Sequence, residues 1–306
     1  MKNVIVIVGP TGVGKTKLSV EIAKRLNGEI ISGDSVQVYK EMDIGSAKVT
    51  KDEMEGIKHY LIDIKNIDED YSVYEFQQEV RTKIDEISNN NKTPILAGGT
   101  GLYLKAALYD YEFSKENEGE FNDYKELSNE QAYNMLKQLD ETEAKKLHPN
   151  NRIRVVRALN IIKNNNNVSK TELLSKQEHK LLYNAIFIGL TSSRDVVYER
   201  INKRVDKMVE SGLIKEVEDL YNKYKDCSYS SLKAIGYKEL FEYFKGNLTL
   251  EEAIELIKKK TRNYAKRQYT WFNNQFDVKW FETDFNNFDN TVNEVEKYIK
   301  EQINEK

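Results

Sequence analysis

The chain has 306 residues, room for a core domain plus an insertion at ~100–200 residues per domain. A net charge of −3 denies it a global basic signature, so any contact with nucleic acid has to come from a local patch. One cysteine, Cys227, and three scattered histidines, His59, His148 and His179, exclude a disulfide framework and a clustered zinc motif, and no apolar run approaches the ~20 residues of a membrane span.

Residues 4–8 form a short, continuous β-branched run, the pattern of a parallel strand buried on both faces. GPTGVGKT follows at once, and then Leu18, Ile22 and Leu26 recur at the four-residue spacing of an amphipathic helix over 15–26. Further strands are predicted at 29–32, 59–62 and 94–97, separated by helical patterns such as 73–87. This alternation predicts an α/β fold with a parallel sheet flanked by helices. From about residue 113 to 182 strand signals vanish and helical spacing takes over (Tyr133, Leu136, Leu139; Val155, Leu159, Ile162), which reads as an all-helical insertion. The core is thus expected at 1–112 and 183–306, with the insertion at 113–182. A strand returns at 184–190, and the remainder reads as helical: 196–210, 214–224, 232–244 and 250–272.

GPTGVGKT matches the phosphate-loop pattern G-x-x-x-x-G-K-[ST] at Gly9, Gly14, Lys15 and Thr16. Its glycines let backbone N–H groups wrap a phosphate, the following helix adds its dipole, Lys15 neutralises charge, and the Thr16 hydroxyl suits Mg²⁺. By itself the motif carries an ATP-binding reading and does not say which phosphate compound is held. The second strand ends in Gly33-Asp34-Ser35-Val36-Gln37, which puts Asp34 at the carboxyl edge of the sheet where α/β proteins bind ligands. A carboxylate there serves as a general base, as a group behind a metal, or simply as a turn cap. Gly98-Gly99-Thr100-Gly101 follows the next strand at the same edge. Near the far end Lys258, Arg262 and Lys266 repeat every four residues, with Arg267 beside them, as a basic stripe suited to RNA phosphates. Tyr269, Trp271 and Phe272 close that helix and read as core before they read as base-stacking groups.

Taken together, GPTGVGKT, GDSVQVY with MDIGSAK, HYLIDI, GGTGLY, HPNNRIRVVRAL, YERINKRVDKMVESGL, AIGYKEL and AKRQYTWF resemble, in this order, the bacterial tRNA dimethylallyltransferases. The resemblance runs from the first strand to about Phe272 and implies a P-loop core whose helical insertion grips the tRNA anticodon stem-loop. It implies transfer of a dimethylallyl group from dimethylallyl diphosphate to N6 of adenosine 37; Mg²⁺ is the expected cofactor and a monomer the expected state, and the lone cysteine fits a reducing, cytoplasmic setting. Carried over residue by residue, Gly9, Pro10, Thr11, Gly12, Val13, Gly14, Lys15 and Thr16 hold the diphosphate. Asp34, Thr16 and Arg204 form the catalytic set, with Asp34 the general base and Thr16 the Mg²⁺ ligand. Asp34, Ser35, Val36, Gln37 and Thr100 are tRNA contacts by the resemblance, Arg154 and Arg157 lie in a stretch that resembles a tRNA-contacting one, and the basic stripe adds Lys258, Arg262, Lys266 and Arg267 as expected contacts. Arg152 belongs to the same stretch as Arg154. Arg200, one helical turn from Arg204, reads as a surface salt bridge. Departures from the commoner family pattern are Gly12 in place of alanine, HPNN for HPND, RALN for RALE, and an acidic, arginine-free stretch at 115–127.

Two enzyme readings stand beside this one: an adenylate isopentenyltransferase acting on free nucleotide, and a P-loop small-molecule or nucleotide kinase. A non-catalytic P-loop RNA-binding switch is a third. Asp63, at the end of HYLID, resembles a metal-linked aspartate and equally a plain strand-end residue.

Overall fold

The structure, a computed structural model, describes residues 1–113, 124–175 and 178–304. The acidic stretch noted at 115–127 lies outside the described residues as far as 123. The chain forms two compact units, Met1–Leu108 with Leu181–Lys306, and Tyr109–Lys180.

In the first unit, β1 (Asn3–Val8), α1 (Lys15–Arg25), β2 (Gly28–Gly33), the short α2 (Lys51–Met54), β3 (His59–Tyr60), α3 (Val73–Asn89), β4 (Thr93–Gly98) and α4 (Gly101–Leu108) alternate as expected. The second unit holds α5 (Asn129–Leu139), α6 (Glu141–Ala144), α7 (Arg152–Asn164) and α8 (Lys170–Ser175), with no strand among its described residues. Leu136, Val155, Leu159 and Ile162 are buried there as their spacing predicts, whereas Leu139 is 47% exposed. The first unit resumes with β5 (Asn184–Thr191), α9 (Arg194–Glu210), α10 (Leu213–Tyr224), α11 (Tyr237–Phe244), α12 (Leu250–Gln275), β6 (Lys279–Glu282) and α13 (Phe288–Asn304).

The six strands form one parallel sheet in the order β3-β2-β4-β1-β5-β6. A parallel sheet carries crossover helices on both faces, so its central strands must be apolar throughout. Val4, Ile5, Val6, Ile7 and Val8 meet that demand and have no exposed surface. Helix starts are written locally: Ser72 with Glu75 and Thr249 with Glu252 form reciprocal capping boxes at α3 and α12.

Three places differ from the sequence reading. The strand predicted at 59–62 ends at Tyr60, because Leu61 turns into the left-handed region at φ 61°. The single helix predicted at 232–244 is a 3₁₀ turn, Ser231–Lys233, and then α11; the break is at Gly236, φ 100°, whose N–H donates to Glu239 Oε2 at 2.7 Å. β6 lies inside a region read as wholly helical. As an edge strand of four residues it buries only Phe281, too little to leave an apolar run. Among the described residues no helix is long and apolar enough to cross a membrane.

Candidate active site

β4 lies between β1 and β2, so the loops that follow these three strands emerge side by side at the carboxyl edge of the sheet. Gly33 and Gly98 are paired in register, and a Cβ on Gly98 would sit 2.2 Å from the Gly33 carbonyl oxygen. The strand ends approach closely because no side chain separates them.

The phosphate loop runs from Gly9 to Gly14, and α1 begins at Lys15 with no side-chain cap and no acidic residue in its first turn. Its first N–H groups and the positive end of its dipole are left for an anion. Lys15 Nζ folds back to donate to the carbonyls of Gly9 (2.9 Å) and Pro10 (2.7 Å). Burial, helped by the charge of Arg204 and opposed by Asp34, pushes its ammonium down to about 7. Arg204 on α9 donates from Nη1 to Thr11 Oγ1 at 3.2 Å, and its charge is likewise disfavoured by burial and supported by Asp34. Arg200 donates from Nε to the Gly12 carbonyl at 2.9 Å. Neither arginine makes an ion pair among the described residues, so the salt-bridge reading of Arg200 is corrected: a carbonyl and a ring occupy it instead.

The depressed Lys15 gives a signed pH dependence. An alkyl diphosphate, fully ionised above pH 7, would restore the ammonium, so above pH 7 its affinity should fall by up to about tenfold per pH unit. Calorimetry at pH 8 in buffers of different ionisation enthalpy should record uptake of roughly one proton per ligand. Lys15→Arg should abolish the uptake; an unchanged value there would move the titrating group elsewhere.

Asp34 takes the N–H of Val36 (2.8 Å) and of Gln37 (3.4 Å) on Oδ1, and nothing donates to Oδ2 among the described residues. Its charge acts on Lys15 and Arg204 and, after burial, helps push the phenol of Tyr264 up to about 12. Thr100 accepts the N–H of Ser35 at 3.2 Å and donates to its hydroxyl at 3.3 Å, joining the β2 and β4 loops. Gln37 accepts from Ser32 Oγ and donates to the Ala47 carbonyl at 3.2 Å.

Two residues that the sequence reading passed over complete this arrangement. Gln268, buried on α12, accepts the N–H of Thr11 at 3.1 Å and donates to the Gly99 carbonyl at 3.0 Å, bridging phosphate loop and glycine loop. Its signal was present in AKRQYTWF, masked by basic and aromatic neighbours. Glu216 on α10 accepts three successive backbone N–H groups, from Asp43, Ile44 and Gly45, and the Tyr237 hydroxyl at 2.7 Å. That pins the segment after Gln37. Asp63 pairs with Lys48, whose side chain is 6% exposed.

The basic stripe on α12 is divided. Lys258 bonds Asp206 and Glu255, and Arg262 donates to Asn202 Oδ1 at 2.6 Å, so both are engaged within the protein. Lys266 and Arg267 are exposed, with Arg267 near the Tyr264 ring. Of the three aromatics, Phe272 is fully buried, Trp271 packs on Gly101, and Tyr269 lies 4.7 Å from Trp280. In the second unit Arg154 and Arg157 are exposed on α7, while Arg152 is spent on the carbonyls of Tyr124 and Leu127. No group of three His, Cys, Asp or Glu side chains suited to a metal occurs among the described residues. Thr16 is exposed and its hydroxyl makes no hydrogen bond among the described residues, which fits Mg²⁺, an ion that takes one or two protein oxygens and completes its shell with phosphate and water.

Residues 37–275 match the model of the family described as IPP transferase. The chain is 50% identical over 303 residues to a tRNA dimethylallyltransferase of Anoxybacillus flavithermus, covering 98% of this chain and 96% of that one. It is 52% identical over 288 residues to one of Bacillus cytotoxicus, with 92% and 90% covered. Among solved structures, the tRNA isopentenylpyrophosphate transferase of Bacillus halodurans superposes with a TM-score of 0.76 at 44% identity, covering 100% and 98%. A eukaryotic dimethylallyltransferase acting on tRNA does so at 0.86 and 32%, covering 96% and 77%.

Proposed function

The chain belongs to the IPP transferase family, and from that membership we propose that it joins the dimethylallyl group of dimethylallyl diphosphate to N6 of adenosine 37 in tRNA. It is a transferase that adds a prenyl group to tRNA. The donor, the target atom, the cytoplasmic setting and the monomeric state are our reading. One observation carries the chemistry: a carboxylate with a free oxygen, Asp34, lies close enough to Lys15 at the end of the phosphate loop and to Arg204 on α9 for its charge to support both cations.

The exocyclic amine of adenine is a weak nucleophile, because its lone pair is delocalised into the ring. As a bond forms from N6 to the allylic carbon, the bond from that carbon to the diphosphate oxygen breaks and the amine becomes cationic. Asp34 Oδ2 takes its proton, and the electron pair of the broken bond leaves on diphosphate. The loop N–H groups, Lys15 and Arg204 bind that growing charge. Thr16 would hold Mg²⁺, which would supply further neutralisation of the leaving group. Thr100, Ser35, Val36 and Gln37 orient the base, and the exposed Lys266, Arg267, Arg154 and Arg157 meet phosphates of the anticodon stem-loop. Lys258, bound to Asp206 and Glu255, and Arg262, bound to Asn202, join them by giving up those partners. The adenine must leave its stack to reach Asp34, which costs least in a single-stranded loop.

Incubating the protein with unmodified tRNA, Mg²⁺ and dimethylallyl diphosphate should yield, after digestion, adenosine heavier by one five-carbon unit in mass spectrometry. The reaction should need no ATP. Modification of free adenine nucleotide in preference to tRNA would favour the adenylate enzyme, and ATP hydrolysis without transfer would favour a kinase or switch.

A further inference from the structure

We propose that Phe285 and Arg200 form a clamp that sets the shape of the phosphate loop through the Gly12 carbonyl, so that the segment after β6 positions residues for diphosphate binding. The proposal rests on the reading of that loop as the diphosphate site. Gly12 sits at φ 88°, a backbone conformation that glycine enters freely and leaves as freely. Its carbonyl is held by Arg200 Nε at 2.9 Å. The guanidinium that provides this bond sits over the Phe285 ring, its Cζ 3.8 Å from the centroid. A flexible arginine is thereby given one orientation, and through it the least constrained peptide of the loop is given one as well.

The same segment touches the loop twice more. Thr283 donates to the Val13 carbonyl at 3.1 Å, and a Cβ on Gly14 would come within 2.9 Å of the Phe288 ring. Val13 and Gly14 are thus braced directly from residues 283–288, beyond the span matched by the family model, and Gly12 through Arg200. The guanidinium of Arg200 also lies close enough to Arg204 to disfavour that residue's charge. It therefore adds to the positive field around the leaving group while its Nε holds the loop.

Binding of dimethylallyl diphosphate without tRNA, measured by calorimetry, tests this together with steady-state turnover. Phe285→Leu keeps apolar volume but removes the aromatic face, and it should weaken the donor about fivefold to tenfold and raise its KM with little change in kcat. Phe285→Trp should stay within about twofold of the unaltered protein. Arg200→Lys should resemble Phe285→Leu, because an ammonium is a point charge that cannot both cover the ring and donate to the Gly12 carbonyl. The double variant Phe285→Leu with Arg200→Lys should be no weaker than Arg200→Lys alone. tRNA affinity and the melting temperature serve as controls and should hold. Full donor affinity in a folded Phe285→Leu protein, or losses that simply add, would overturn the clamp. Failure of the unaltered protein to bind the donor would instead overturn the diphosphate reading beneath it.

Discussion

Asp34→Asn should lower kcat by roughly 10²–10⁴ while tRNA affinity stays within a few-fold. The asparagine keeps an acceptor at Oδ1, so the N–H groups of Val36 and Gln37 that Asp34 now receives remain satisfied and the turn survives. Only the second oxygen, free in the protein, changes into a group unable to take a proton. Asp34→Ala removes both features, and its loss should be the larger, with weaker tRNA binding because Ser35, Val36 and Gln37 lose their anchor. The contrast between the two variants separates proton transfer from loop order. Single-turnover prenylation of tRNA measures the first, and equilibrium binding the second. Turnover by Asp34→Asn near that of the unaltered enzyme would remove Asp34 as the base.

Arg204→Ala should cost transfer about two to three powers of ten, the scale on which one preorganised donor to developing negative charge is worth ~3 kcal/mol. Burial gives this charge its leverage. The guanidinium is held against Thr11 Oγ1 and away from bulk water, where its charge is disfavoured and a leaving diphosphate would be its compensation. Lysine should rescue only in part, since a point charge cannot present two parallel donors to a phosphate. A second readout is independent of rate. Arg204 helps depress Lys15, so its removal should raise the pH at which donor affinity begins to fall. An unchanged rate together with an unchanged pH onset would place Arg204 outside the site.

Much of the fold was legible because it is written in short contiguous stretches. The uninterrupted run Val4–Val8 can be satisfied only in the middle of a parallel sheet, and it lies there without exposed surface. GPTGVGKT announces its own backbone, since glycines at φ 139°, 88° and 98° at Gly9, Gly12 and Gly14 and an uncapped helix start are local properties. What escaped was what local rules weight lightly. β6 shows one buried residue in four, and the turn at Gly236 divides a pattern that periodicity alone reads as one helix.

The sequence by itself determined the family, the α/β class and a phosphate loop paired with Asp34 at the sheet edge, because backbone geometry and motif chemistry depend on neighbours in the chain. Only the tertiary structure decided which side chains serve that loop. Gln268 reaches Thr11 across 257 positions and Arg200 reaches Gly12 across 188, distances over which no periodicity carries information. It decided equally that Lys258 and Arg262 are bound to α9 while Lys266 is exposed and has no side-chain partner among the described residues, although all three share one stripe. A stripe on a helix says which residues face the same way, and the packing of another helix against it says which are already taken.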